Sequence, residues 1–193
     1  HYTPRMGAAG AAIIVGLLAA FVGAGAWETI LRFYYQVPFG TADPIFGYDL
    51  SFYIFTLPVL DAVSLFLLAL LLVNLIGAGA IYFAHSVSKF DAKRQRIETV
   101  DFPRAGRVHL LALGAAVFLI AAGKSYLAMP HLLLSNDGTF SGISYTDINA
   151  AVPVLWAQLG AACLAAILAI VCIFGRSLKL LWSGIGLFLL VAI

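Results

Sequence analysis

Four aspartates, Asp43, Asp49, Asp137 and Asp147, fall in two polar stretches together with Asn136 and Asn149. Their oxygens are the ligand type that a hard cation such as calcium takes, so these are the chain's candidate metal ligands. The regular spacing of a calcium loop is missing. Asp and Asn also cap turns and helix starts through the same oxygens, and capping is the favoured reading. A second set, Glu28, Asp61, Asn74 and Lys124, with Gln158, lies in or beside long apolar runs. Polar groups there are costly and mark either a polar path or an interhelical bond. Lys124 is placed to pair with Glu28 or Asp61, or else to reach the headgroups with its long stem. His85 and His109 invite comparison with a haem ligand pair, but both fall at the ends of apolar runs beside a basic connector, and His131 has no ligand-spaced partner. Cys163 and Cys172 are nine residues apart, on opposite sides of a helix, and cannot bridge each other. Serine, histidine and acid residues do not converge, and no phosphate loop, metal motif or cofactor motif is present.

The elements that carry these residues follow from composition. Hydrophobic residues make up 63% of the 193 and charged residues only 10%, against roughly 25% charge in a soluble domain. Mean hydropathy is +1.01. The solvent for most of this chain is therefore lipid, which excludes a cytosolic enzyme and a disordered tail; a net charge of +2 offers nucleic acid no basic stripe. A bilayer core of ~30 Å takes about 20 helical residues. Four runs reach that length, at 7–31, 58–84, 108–127 and 153–174, and a fifth, 178–193, is still apolar where the sequence stops. The expected fold is all-α: a polytopic transmembrane helical bundle of four full spans plus a truncated fifth. The start at His1 without an initiating Met and the stop inside an apolar run are read as marks of a fragment.

Orientation follows from the cations. With the N-terminus inside, Arg5, Lys89, Lys93, Arg94, Arg96, Arg104, Arg107, Arg176 and Lys179 face the cytoplasm, leaving only Arg32 and Lys124 outside. The 85–107 connector is then a basic cytoplasmic loop touching anionic lipid, and 32–57 and 128–152 are outer segments. The first run carries small residues four apart, Ala8, Ala12, Gly16, Ala20 and Ala24, and Gly77-Ala78-Gly79-Ala80 forms a second cluster. Both suit close helix packing.

The outer segment is written unlike a solvated loop. Trp27, Phe33, Tyr34, Tyr35, Phe39, Phe46, Tyr48, Phe52, Tyr53 and Phe55 crowd into it, which places an aromatic stretch at headgroup level. Gly40, Asp43-Pro44 and Gly47 mark fixed turns. In the second outer loop Asn136-Asp137-Gly138 marks a turn, and Asp147 or Thr146 is the expected N-cap of a helix running through Pro153.

Trp27-Glu28-Thr29-Ile30-Leu31, the Phe39 to Asp49 turn, Ser51-Phe52-Tyr53 with Leu57-Pro58, and Tyr145-Thr146-Asp147 with Ala150 and Pro153 resemble uncharacterised protein family 0182, a family of bacterial and archaeal multi-pass membrane proteins. The resemblance implies a longer parent, in which an N-terminal helical bundle precedes a large extracytoplasmic region. It brings no established activity and no catalytic residue. The expected function is a non-catalytic anchoring module or a subunit of a larger membrane assembly in the cell membrane. Its partners would be the lipid bilayer and other membrane subunits or an outer domain, with no nucleic acid. The alternatives are part of a transporter or channel lined by Glu28, Asp61, Asn74 and Lys124, and, behind it, an envelope enzyme using the outer carboxylates.

Overall fold

The computed structural model describes residues 23–87, 104–135, 142–175 and 179–192, together with Gly16 and Ala20. Five α-helices appear there: α1 (Trp27–Tyr34), α2 (Leu57–Val87), α3 (Arg104–His131), α4 (Val152–Phe174) and α5 (Lys179–Ala192). Among the described residues there is no strand, only one antiparallel bridge between Ala42 and Asp49. The fold is all-α. Three helical stretches, Phe52–Ala84, Arg104–Leu134 and Asp147–Phe174, are long and apolar enough to cross a membrane, and the shorter Trp182–Val191 is apolar throughout its length. These helices contain three of the expected apolar runs, 58–84, 108–127 and 153–174, and extend four to seven residues beyond them at one or both ends.

Most of the first apolar run lies outside the described residues, including Ala8 and Ala12. Its far end differs from expectation. Rather than one helix reaching residue 31, the helical path breaks at Ala26, whose amide donates to the Gly23 carbonyl at 3.0 Å. A separate helix, α1, then begins at Trp27. Gly16, Ala20 and Ala24 of the small-residue ridge are exposed. Lys89, Lys93, Arg94 and Arg96 of the basic connector lie outside the described residues, as do Arg5 and Arg176.

The chain divides into two compact units, His1–Phe66 and Leu67–Ile193, the division falling inside α2. In the second unit α3, α4 and α5 run antiparallel in sequence order. Tyr126 meets Trp156 at a ring separation of 6.4 Å, and at the other end of that helix pair Arg107 Nη2 donates to the Gly175 carbonyl at 3.3 Å. Gln158 Nε2 donates to the Val191 carbonyl at 3.4 Å, joining the start of α4 to the end of α5. The core is the small-residue face of α4: Ala161, Ala162, Ala165, Ala166, Ala169 and Cys172 are buried. Lipid supplies no hydrophobic drive between helices, so van der Waals contact must hold them, and small side chains let backbones approach. Gly184 of α5 shows how close the approach is. A Cβ built there would stand 3.0 Å from Leu168 Cδ1 and 3.3 Å from Ala165 Cα.

Two helix beginnings are built to one plan, one in each unit. Gly47 (φ +74°) and Gly142 (φ +109°) adopt the left-handed backbone that glycine tolerates. Two residues later come Asp49 and Ser144, whose side chains accept backbone amides. A π-helical turn follows, Phe52–Thr56 in one case and Asp147–Ala151 in the other, and then Pro58 and Pro153. The shared sequence continues as Pro-Val-Leu-x-Ala, and every matched position differs by 95 (47 to 142, 49 to 144, 58 to 153). Proline explains the wide turn: it withholds one amide, and its ring crowds the carbonyl four residues back. In both places the residue before proline bonds five residues back instead, Leu57 to the Phe52 carbonyl and Val152 to the Asp147 carbonyl.

Candidate functional site

The chemistry-bearing residues of the first unit gather in the turn from Phe39 to Tyr53. Asp43, only 7% exposed, receives four donors. Its Oδ1 accepts the amides of Ile45 at 2.8 Å and Phe46 at 2.6 Å. Its Oδ2 accepts the amide of Tyr48 at 2.9 Å and the hydroxyl of Tyr53 at 2.7 Å. A carboxylate offers about four lone-pair sites, so Asp43 is saturated. Burial alone would raise its pKa; the bonds from Phe46, Tyr53, Ile45 and Tyr48 overcome that and hold it below the ordinary carboxylate value.

Asp49 does the same at the surface. Its Oδ1 accepts the amides of Ser51 at 2.8 Å and Phe39 at 3.1 Å, and its Oδ2 the amide of Gly40 at 2.8 Å. The amide and side chain of Ser51, then the amides of Phe39 and Gly40, lower its pKa to about 2. Backbone bonds close the ring: the Asp43 amide donates to the Tyr48 carbonyl at 2.8 Å, and the Leu50 amide to the Thr41 carbonyl at 2.9 Å. Rings cover the outside. Tyr48 stacks on Phe52 at 4.4 Å, and Phe39 meets Phe55 edge-on at 6.0 Å. Thr56 Oγ1 donates to Gln36 Oε1 at 3.0 Å, fastening the turn to the segment after α1.

In the segment ahead of α4, Asp147 is not the N-cap. That place belongs to Ser144: its Oγ accepts the Asp147 amide at 3.2 Å, while Asp147 Oδ2 accepts the Ser144 amide at 2.8 Å. This reciprocal pair is a capping box, and it starts the helix a turn earlier than Thr146 or Asp147 would. Asn149 Nδ2 donates to the Tyr145 carbonyl at 2.8 Å. Asp137 and Asn136 lie outside the described residues. Asp43 and Asp49 are brought together on one turn, yet the oxygens a cation would need already hold the backbone. Among the described residues no group of three or more His, Cys, Asp or Glu side chains converges to hold a metal.

The membrane-depth candidates have local partners. Glu28 pairs with Arg32 one turn along α1, and both partners are more than half exposed, where an ion pair adds little stability. Trp27, Leu31 and Tyr35 join them around a shallow, open hollow of about 580 Å³. Asn74 Nδ2 donates to the Leu70 carbonyl of its own helix at 2.8 Å. Asp61 lies in the second turn of α2, where its backbone carbonyl accepts Ser64 Oγ at 2.9 Å, and Lys124 is half-buried in α3. His109 Nδ1 lies 3.2 Å from the Tyr82 hydroxyl, and the Tyr82 ring rests on Gly106, where a Cβ would come within 3.0 Å. The His85 side chain lies outside the described residues. Neither Cys163 nor Cys172 forms a disulfide.

The profile of an uncharacterised protein family, UPF0182, matches residues 2–193. The chain belongs to this family. A UPF0182 protein of Cupriavidus necator is 39% identical over 166 residues, covering 84% of this chain and 17% of that protein. One from Bradyrhizobium diazoefficiens is 34% identical over 190 residues, covering 98% of this chain and 20% of its own. A third, from Kocuria rhizophila, is 36% identical over 181 residues, covering 94% and 18%. The chain thus spans about a fifth of the length of these curated relatives. No solved structure matches it.

Sequence reasoning missed Ser144 and Tyr53. Ser144 was legible as the start of Ser-x-x-Asp; Tyr53 was not, because its hydroxyl reaches Asp43 only once the turn has closed.

Two outcomes follow. Asp43→Ala leaves four donors without their acceptor and should destabilise the 39–53 turn by on the order of 3 kcal/mol, read as faster limited proteolysis between Phe39 and Tyr53. For Asp49 the folded pKa, about 2, lies below the ordinary 3.8, so its stabilisation is complete above that value and is lost as pH falls through the folded one. Carboxyl-carbon NMR of Asp49 should titrate near pH 2, and the Gly40 and Ser51 amide signals should shift with it; a midpoint near 4 would refute the bonding described.

Proposed function

We propose that this chain is a non-catalytic anchoring module of a larger membrane protein: apolar helices that hold a rigid outer turn on which the rest of the assembly is built. The observation that carries the reading is the engagement of these polar groups by their own backbone. Among the described residues of these segments Asp43, Asp49, Ser144 and Asp147 carry chemistry suited to catalysis or cation binding, and each is engaged by backbone amides of its own segment. A catalytic acid or metal ligand needs a lone pair directed at something else. The relatives, about five times longer, are what such a module would carry.

The proposed setting is the cell membrane, with the N-terminus cytoplasmic and the apolar runs making four full spans and part of a fifth. Nine of eleven cations fall on one side in that arrangement. The transporter reading is weaker, because Glu28 and Asn74 are engaged within their own helices.

Asp43→Asn, Asp49→Asn and Asp147→Asn in the full-length protein keep side-chain shape and one oxygen acceptor. Each variant should complement a deletion strain in proportion to the amount of folded protein. Lost complementation at wild-type folded levels would assign the carboxylates chemistry and overturn the proposal. Cysteine placed at residue 93 should resist a membrane-impermeant thiol reagent applied to intact cells; labelling would invert the orientation.

A further inference from the structure

The charged side chains of the first unit are held in two different ways. Asp43 and Asp49 each accept several backbone amides, and releasing them would undo the turn. Glu28 and Arg32 are joined by one side-chain contact in which both partners are more than half exposed. Such a pair contributes little stability, so a ligand carrying charges of its own can part it at small cost. The two charges share one face of α1 with Leu31, between the rings of Trp27 and Tyr35, and these five residues line the open hollow. α1 itself stands between two apolar stretches. It separates at Ala26 from the run before it and leads through the 39–53 turn into α2. Trp27 is 64% exposed, Tyr34 77% and Tyr35 71%. Large amphipathic rings that stand out with charges between them suit the headgroup layer of a membrane.

We propose that this face of α1 binds the headgroup of a phosphatidylethanolamine-type lipid, with the phosphate on Arg32 and the ammonium on Glu28. The headgroup carries one negative and one positive group joined by a short link. Glu28 and Arg32 present the opposite charges one turn apart, where Cβ atoms lie about 5–6 Å from each other. The planar guanidinium of Arg32 can take two phosphate oxygens at once. A primary ammonium returns to the Glu28 carboxylate the N–H donors it gives up when Arg32 turns away. A quaternary ammonium brings no such donor and is held by an aromatic cage, whereas Trp27 and Tyr35 supply two walls. An anionic headgroup would satisfy Arg32 but set its remaining oxygens beside Glu28 with no cation between. Leu31 gives the lipid an apolar floor between the two rings. The claim uses the membrane setting proposed above, and neither its orientation nor the anchoring role.

The test is lipid competition on the full-length protein. It is reconstituted in nanodiscs of equimolar ethanolamine, choline and glycerol phospholipids with identical acyl chains, and the lipids it retains are counted by native mass spectrometry. Retained ethanolamine lipid should exceed each of the others by at least about three-fold. Glu28→Gln should abolish that excess and raise retention of the anionic glycerol lipid, because Arg32 is left without a counter-charge. Arg32→Gln should abolish the excess without that gain. Both positions are exposed, and an unchanged limited-proteolysis pattern checks that the variants fold. Equal retention of the three lipids, choline lipid retained as well as ethanolamine lipid, or either variant behaving as wild type would overturn the proposal. Release of the protein from washed membranes by alkali without detergent would sink the membrane setting as well, which separates the two failures.

Discussion

A helix that starts at a membrane surface has up to four amides without intrahelical acceptors, and a segment that dips toward hydrocarbon cannot rely on water to satisfy them. That constraint organises the two helix lead-ins of this protein. Asp49 and Ser144 cap the two helix beginnings, Asp147 returns the bond to Ser144, and Asp43 gathers the amides of the turn that leads into the first. With those bonds made, each proline can sit just inside its helix, the widened turn before it accommodating the missing amide. The positive-φ glycines two residues before each cap let the chain reverse into it.

Among the helices of the second unit the stabilising principle changes from hydrogen bonding to contact. The α4 face is nearly all alanine, and alanine matters here for the distance it permits, not for the apolar area it buries. Gln158 and Arg107 then tie α4 to its two neighbours by single bonds to backbone carbonyls at the helix ends. Polar side chains placed at the ends of helices, with alanine between, give a packing that is apolar at depth and directional at the boundaries.

The repeated lead-in adds a constraint of its own. Two helices with a side-chain cap at the matched position, the same wide turn and the same Pro-Val-Leu-x-Ala start differ after that point: alanines on one, leucines with Asn74 and Gly77 on the other. The lead-in answers the same backbone problem wherever a helix begins, so it stays alike. The face below it answers to whatever packs there, so it differs.

Sequence alone determined the all-α class, the three long apolar helices and the turn-rich character of the 39–53 segment, because those depend on composition, run length and local backbone preference. Capping as the task of Asp43, Asp49 and Asp147 was legible for the same reason, since an Asx turn or a capping box spans only two to five residues. Tertiary structure decided what depends on distant partners or on competition between near neighbours. Tyr53 closes on Asp43 across ten positions, and Glu28 takes Arg32 one turn away. The α1 helix separates at Ala26 inside what reads as one apolar run, and Ser144, legible as the start of Ser-x-x-Asp, is fixed as the cap once its oxygen takes the Asp147 amide. Apolar periodicity is silent on all four, because each is settled by geometry after the chain has turned.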